Sequence, residues 1–127
     1  MRKRIALLTA ALTVAAAAQA MAQDKAKQGE SVFKRTCAAC HTVEAGKNKV
    51  GPSLAGVVGR KAASAEGFKY SEPMMKSGLT WTEENLDKYL ADPKGFIPGN
   101  KMAFVGVKKE DERQAVIDYL ETVKAGS

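Results

Sequence analysis

The sequence predicts an all-α fold, and three observations lead to that prediction. Apolar residues recur at helical spacing in three segments, whereas no segment shows a sustained alternation with a period of two. No internal repeat is visible. Two long stretches rich in Gly and Pro, residues 45–67 and 94–107, separate the helical segments. Loops of this length are uncommon in a compact domain unless they are functional or disordered.

The first 22 residues have the layout of a secretory signal peptide, and we set them apart from the folded domain. Residues 1–4 contain three basic side chains, residues 5–18 are almost entirely Ala, Leu, Val and Ile, and Ala20 and Ala22 offer small side chains to a signal peptidase. A retained membrane anchor is the rival interpretation, although a bilayer span takes about 20 apolar residues. We predict cleavage after Ala22 and export to the periplasm.

Residues 23–127 then form a single domain, since domains typically hold about 100–150 residues. The leader carries three basic and no acidic residues, so its removal lowers the formal net charge from +6 to +3. An exported chain of such mild charge is a poor candidate for nucleic-acid binding. Two cysteines in an exported protein would ordinarily suggest a disulfide, but their neighbour in the sequence favours another use.

Both cysteines and the only histidine of the chain lie within residues 37–41, Cys-Ala-Ala-Cys-His, called the pentad below. This is the pattern of a c-type haem attachment site. A zinc site would need four ligands, and a thioredoxin-like redox pair belongs beside a βαβ unit. We therefore predict one covalently attached haem, with His41 reaching its iron. The long loops would wrap its two faces, and the core, poor in aromatic residues, would pack around it.

The first helix is expected to begin near Asp24, a candidate N-cap, and to run to the pentad. Gly29 and Phe33 are four residues apart and share one face of this helix, where a glycine permits the close approach of another helix. A short helix is expected over residues 71–76, with Pro73 in its first turn.

Two further helices have clear start signals. One begins at Thr82, where Trp81 and Leu86 are spaced as a hydrophobic staple, and it ends before Pro93. The last begins near Lys109 with acidic residues in its first turn. It is expected to end at Gly126. Its predicted buried stripe consists of Val116, Ile117, Leu120 and Val123.

The second axial position of the iron has few candidates. No second histidine exists, so ligation by two histidines is excluded. Met102 lies in a segment that Pro98 and Gly99 keep out of regular helix, and such a loop can place a thioether over a flat ring. Met74 and Met75 lie in a predicted helical turn, where ordinary core packing is the expectation.

Taken in order, the motifs resemble those of a class I cytochrome c, close to the bacterial c2 and mitochondrial types. The likeness extends from Gly29 to Lys124, and its matching stretches are residues 37–44, 51–61, 67–71, 79–81, 89–94, 98–106 and 119–120. The pentad alone is shared by many haem proteins, whereas this ordered set is specific. The resemblance implies that the first and last helices cross, with a middle helix and long loops around one covalent haem.

The resemblance also implies a role for individual residues. Cys37 and Cys40 would form the thioethers, His41 would be the proximal ligand and Met102 the distal one. The Pro52 carbonyl would accept a hydrogen bond from the imidazole. Five further residues would surround the haem: Arg60, Tyr70 and Trp81 near the propionates, Tyr89 near the methionine sulfur, and Phe104 closing the pocket.

Two positions depart from the mitochondrial pattern. Asn100 stands where those proteins have Thr, and Met74 stands where they have Asn. Both positions contact the network of propionates and internal water in the family, so that network is expected to differ in this protein.

The resemblance implies a soluble periplasmic electron carrier, which we expect to be a monomer and not an enzyme. It would connect a cytochrome bc-type complex with a terminal oxidase, a photosynthetic reaction centre or another reductase. Acidic faces of these membrane complexes would be its docking partners, without stable membrane insertion or nucleic-acid binding. The predicted docking patch consists of Lys47, Lys49, Lys94, Lys101, Lys108 and Lys109.

Two other classes stay open. A peroxidase-like enzyme or a gas-binding sensor would need an open face of the iron, against which Met102 argues. A membrane-anchored carrier would need the leader to be retained.

Overall fold

The computed structural model describes residues 2–125, with side chains from residue 13 onward. The helices in chain order are α1 Arg2–Thr36, α2 Glu72–Lys76, α3 Glu83–Ala91, α4 Pro93–Phe96 and α5 Glu110–Thr122. Over this described part of the chain, strand-like pairing is limited to one isolated antiparallel bridge between Lys61 and Thr80. The predicted all-α fold is therefore confirmed.

The helix α1 is longer than the sequence analysis predicts. It begins at Arg2 and passes through Asp24 without interruption, so the prediction of Asp24 as its N-cap is wrong. The physical reason is that residues 2–28 contain neither Gly nor Pro and are rich in alanine, the strongest helix former. The helix ends at Thr36, whose hydroxyl donates to the Val32 carbonyl at 2.7 Å, and the pentad follows at once.

Helices α1 and α5 meet at Gly29, which is buried. A Cβ on this residue would lie 1.8 Å from the carbonyl oxygen of Ala115, so only glycine fits this contact. One turn further, Phe33 contacts Tyr119 with ring centroids 5.6 Å apart. The predicted packing of the first helix across the last is thus present. The same core cluster includes Val32, Val116, Ile117 and Leu120.

The shorter helices begin at side chains that cap them. Ser71 caps α2 by accepting from the Met74 amide at 3.3 Å, and Thr82 caps α3 by accepting from the Asn85 amide at 3.1 Å. Both starts agree with the sequence analysis. Pro93 ends α3 as predicted but also begins α4, a one-turn helix that was not predicted.

The last helix begins after Lys109, as predicted, but ends at Thr122 with Val123 as its C-cap residue. The predicted end at Gly126 is therefore wrong, because the helix stops before that residue, which itself lies outside the described part of the chain. Among the residues that the structure describes, no helix combines the length and the apolar character needed to cross a bilayer.

Candidate functional site

The long loops, the end of α1 and the inner faces of α3 and α5 enclose an apolar cavity of about 270 Å³. Every residue that the sequence analysis places at the haem lines this cavity: Cys37, Cys40, His41, Pro52, Arg60, Tyr70, Trp81, Tyr89, Met102 and Phe104. Residues spread over more than 60 positions of the sequence therefore meet around one space.

The pentad forms a tight turn at the end of α1. The backbone N–H groups of Cys40 and His41 both donate to the Cys37 carbonyl, at 3.1 and 2.9 Å. Both cysteines are free thiols. Burial raises the pKa of the Cys37 thiol, while the Thr36 hydroxyl 3.3 Å from its sulfur lowers it. Two unpaired thiols on one turn at the cavity wall suit two thioether bonds to one flat group.

The imidazole of His41 is held in one orientation. Its Nδ1–H donates to the Pro52 carbonyl at 2.7 Å, as the resemblance implies. Burial is the largest cause that lowers the pKa of His41, so the ring is neutral and Nε2 keeps its lone pair. The ring also packs on the Gly51 backbone, where an added Cβ would lie 2.4 Å from Cε1. A fixed neutral imidazole is a suitable metal ligand.

Met102 reaches the same cavity from the second long loop. Its sulfur lies 3.9 Å from the Tyr89 hydroxyl, which donates to it. Burial raises the pKa of Tyr89 to about 12, so the phenol stays protonated and remains a donor. Of the other two methionines that follow the leader, Met74 packs against the core as expected. Met75 is 59% exposed, so its predicted core packing is wrong, because α2 turns that side chain outward.

The polar end of the cavity contains a buried donor without a partner. The guanidinium of Arg60 donates to the carbonyls of Ala55 at 2.9 Å and Ser53 at 3.1 Å. Its Nε is buried with no hydrogen-bond partner among the described residues. The Tyr70 hydroxyl accepts from the Ala65 amide at 3.0 Å, which leaves its own O–H to donate. Since an unpaired buried donor is costly, this end of the cavity fits an anionic group such as a haem propionate.

Several walls of the cavity were missed by the sequence analysis. The apolar side chains of Val50, Leu54, Val57 and Phe68 all line it. They lie in irregular segments, where no periodicity marks a buried face. The matching stretches 51–61 and 67–71 include Leu54, Val57 and Phe68, but nothing in the sequence marks these three side chains as buried.

The six lysines of the predicted docking patch are exposed, and most of their ammonium groups bind the chain itself. Lys47 pairs with Glu44 at 2.6 Å. Four others donate to backbone carbonyls at 2.8–3.2 Å: Lys49 to Ala38, Lys94 to Met102, Lys101 to Lys69 and Lys108 to Ala91. These charges are therefore held close to the loops that form the cavity.

A small helical domain with a C-x-x-C-H turn and a methionine loop around one apolar cavity has the architecture of a c-type haem protein. The family model described as Cytochrome c matches residues 26–124. The chain is 67% identical over 88 residues to cytochrome c2 iso-2 of Magnetospirillum molischianum, covering 69% of this chain and 91% of that protein.

Two further comparisons also find cytochromes of c type. The chain is 52% identical over 98 residues to the cytochrome c-type cyt cy of Rhodobacter capsulatus, covering 77% of this chain and 49% of that protein. Its fold matches cytochrome cH from Methylobacterium extorquens with a TM-score of 0.72 and 47% identity, covering 76% of this chain and 97% of that structure.

The chain belongs to the cytochrome c family and has the class I fold. Membership implies a covalently bound haem c, for which both cysteines are present. The unpaired Arg60 Nε and the two free thiols of the pentad fit that group. Proteins of this family carry electrons.

Proposed function

We propose that the protein is a soluble periplasmic electron carrier whose haem iron is held by His41 and Met102. The observation that carries this proposal is that a fixed neutral imidazole and a thioether line the same apolar cavity. When bound, the haem supplies a one-electron Fe(III)/Fe(II) couple. With both axial positions filled, no substrate reaches the iron, so the proposed protein is a carrier and not an enzyme.

Residues of the chain would adjust that couple. The Pro52 carbonyl fixes the tautomer of His41. A thioether ligand is a weaker electron donor than a second imidazole, so Met102 favours the reduced state. Apolar walls such as Leu54 and Leu86 also disfavour the additional positive charge of the oxidised state. The thioether and the apolar walls raise the reduction potential, whereas the hydrogen bond to Pro52 makes the imidazole a stronger electron donor and lowers it.

A redox titration tests the ligation directly. The variant Met102→Ala should lower the midpoint potential and remove the long-wavelength absorption band that reports a thioether on ferric haem. Met75→Ala is the matched control, because its side chain is exposed and should leave both readouts unchanged. If Met102→Ala keeps the wild-type potential and band, Met102 is not the ligand.

The proposed partners are membrane redox complexes with acidic docking faces, approached by the lysines around the cavity. Such a field can raise association rates by about 10–10³-fold, and salt weakens it. Transfer rates to a membrane partner should therefore fall as ionic strength rises.

A matched pair of variants locates the docking patch. Lys47 and Lys34 are both exposed and both paired with a nearby glutamate, but only Lys47 belongs to the patch. Lys47→Gln should slow transfer at low salt, whereas Lys34→Gln should not. Equal effects of the two substitutions, or a rate indifferent to salt, would remove the steering role.

Export is proposed from the leader. Cleavage after Ala22 would leave Asp24 near the new start of α1, where a negative charge favours the helix. Sequencing the N-terminus of protein isolated from its native cell should begin at Gln23. An intact N-terminus would instead support the membrane-anchored alternative.

A further inference from the structure

The backbone of Met102 is fixed on both sides, although it lies in an irregular segment. Its N–H donates to the side-chain oxygen of Asn100 at 2.9 Å. Its carbonyl accepts from the Lys94 ammonium at 3.2 Å and from the Phe104 amide at 2.9 Å. Met102 therefore owes its position to other residues of the chain.

Asn100 makes one of these contacts, and its own side chain is fixed by two further hydrogen bonds. Its side chain is nearly inaccessible, at 5% exposed, and its two amide N–H bonds go to the carbonyls of Pro93 at 2.8 Å and Ile97 at 2.9 Å. It thus connects Met102 to α4 and to the buried Ile97. A carboxamide has two N–H donors, and both are used. Asn100 lines the cavity but has no donor left for a propionate.

Lys94 contributes from the solvent side. Its ammonium lies 3.4 Å from the Asn100 carbonyl in addition to the Met102 carbonyl, and its side chain is exposed. Exposed polar contacts contribute little to the stability of the fold, whereas a buried donor or acceptor that loses its partner destabilises it. Asn100 is therefore expected to matter more than Lys94.

We propose that Asn100 is a positioning residue that holds Met102 in the cavity, with a smaller contribution from Lys94. This inference rests on the proposed function, in which Met102 is an axial ligand. Without the Asn100 side chain, the loop would release the methionine more often, and a small ligand from solvent would reach the iron more easily.

The test uses the ferric holoprotein with imidazole as the competing ligand. Asn100→Leu keeps the volume and removes all three side-chain hydrogen bonds. It should bind imidazole about tenfold more tightly, since one buried hydrogen bond is worth roughly that factor. Asn100→Thr, with a single donor, should fall between Leu and wild type. Lys94→Gln should change the affinity less than about threefold.

A second readout and a control separate positioning from general stability. Hydrogen exchange of the Met102 amide should accelerate by about tenfold in Asn100→Leu. Glu112→Ala breaks the 3.0 Å ion pair with Arg35 between α1 and α5, and neither side chain bonds to the loop of Met102. It should leave both readouts at the wild-type value.

Three results are decisive. Unchanged imidazole affinity and amide exchange in Asn100→Leu would overturn the inference while leaving Met102 as ligand. Unchanged thioether absorption in Met102→Ala would instead overturn the proposed ligation. If Asn100→Leu fails to assemble with haem, Asn100→Thr decides by the same criteria.

Discussion

Two regions of the molecule are stabilised in different ways. One is the crossing of α1 and α5, and the other is the pair of cavity loops, residues 37–71 and 97–109. At the crossing, Ala115, Val116 and Ile117 are at most 1% exposed, and the helices interlock at Gly29. The loops instead rely on hydrogen bonds from side chains to backbone, such as Ser53 to the Glu44 carbonyl at 2.6 Å. The crossing is thus stabilised by packing within the chain, whereas the loops surround a space that the chain does not fill.

The largest expected effect comes from preventing haem attachment. With Cys37→Ser and Cys40→Ser together, amide protection in the cavity loops should fall toward that of an unfolded chain. The crossing of α1 and α5 should keep part of its protection, because its closest contacts, Gly29 on Ala115 and Phe33 on Tyr119, lie outside the cavity lining. Hydrogen exchange followed by mass spectrometry measures both regions at once. Equal loss in both would show that the crossing also depends on the haem.

The second prediction concerns the packing of α1 on α5. Gly29→Ala places a methyl group against the Ala115 carbonyl, so the two helices must separate. We expect a loss of about 3 kcal/mol in the free energy of unfolding, at the upper end for overpacking. Gly46→Ala in the first loop is the matched control. It has φ +75° and open space around it, so backbone strain alone should cost about 1 kcal/mol. Denaturant titration measures the free energy of unfolding of both variants. Equal losses in the two variants would contradict the close contact at Gly29.

A smaller effect concerns backbone strain in the loops. Ala63 has φ +59°, the one positive value outside glycine in the described part of the chain. Ala63→Gly should stabilise the protein by about 0.5 kcal/mol, because relief of strain exceeds the added freedom of the unfolded chain. Ala45→Gly, in the same loop but without positive φ, should destabilise by a similar amount. A loss of stability in Ala63→Gly would rule out strain at this position.

The smallest effect is a pH dependence where α3 meets α5, because the Glu121 side chain is exposed and solvent weakens its interactions. A hydrogen bond with Glu83 is the main cause that raises the pKa of Glu121 from 4.5 to about 7. Burial and the charges of Glu83 and Asp118 add to it, and Lys124 opposes it. The folded state therefore binds more protons than the unfolded state between these values. The stability that the protonated Glu121 carboxyl contributes is complete below about pH 4.5 and is lost as pH rises through about 7.

Glu121→Gln keeps a donor facing Glu83 at every pH, so it should flatten this part of the stability profile. Denaturant titrations between pH 4.5 and 7.5 of both proteins provide the measurement. Identical slopes in the two profiles would exclude the shared proton.

The two regions also differ in how far the sequence predicts them. Caps and periodicity locate α3 and the start of α5, and Gly29 indicates the crossing, because these signals are local. The ordered motifs identify the residues at the cavity. The sequence does not predict the hydrogen bond from the Met102 N–H to the Asn100 side chain, the lysine contacts to carbonyls or the exposure of Met75. Each of these depends on where a distant segment lies after folding.

In the proposed carrier, His41 and Met102 fill both axial positions of the iron. The most direct measurement is the absorption spectrum of the reduced holoprotein at neutral pH before and after addition of carbon monoxide. A closed site predicts no change in the spectrum. Rapid conversion to a carbon monoxide complex would show an open face and would favour a peroxidase-like enzyme or a gas sensor over an electron carrier.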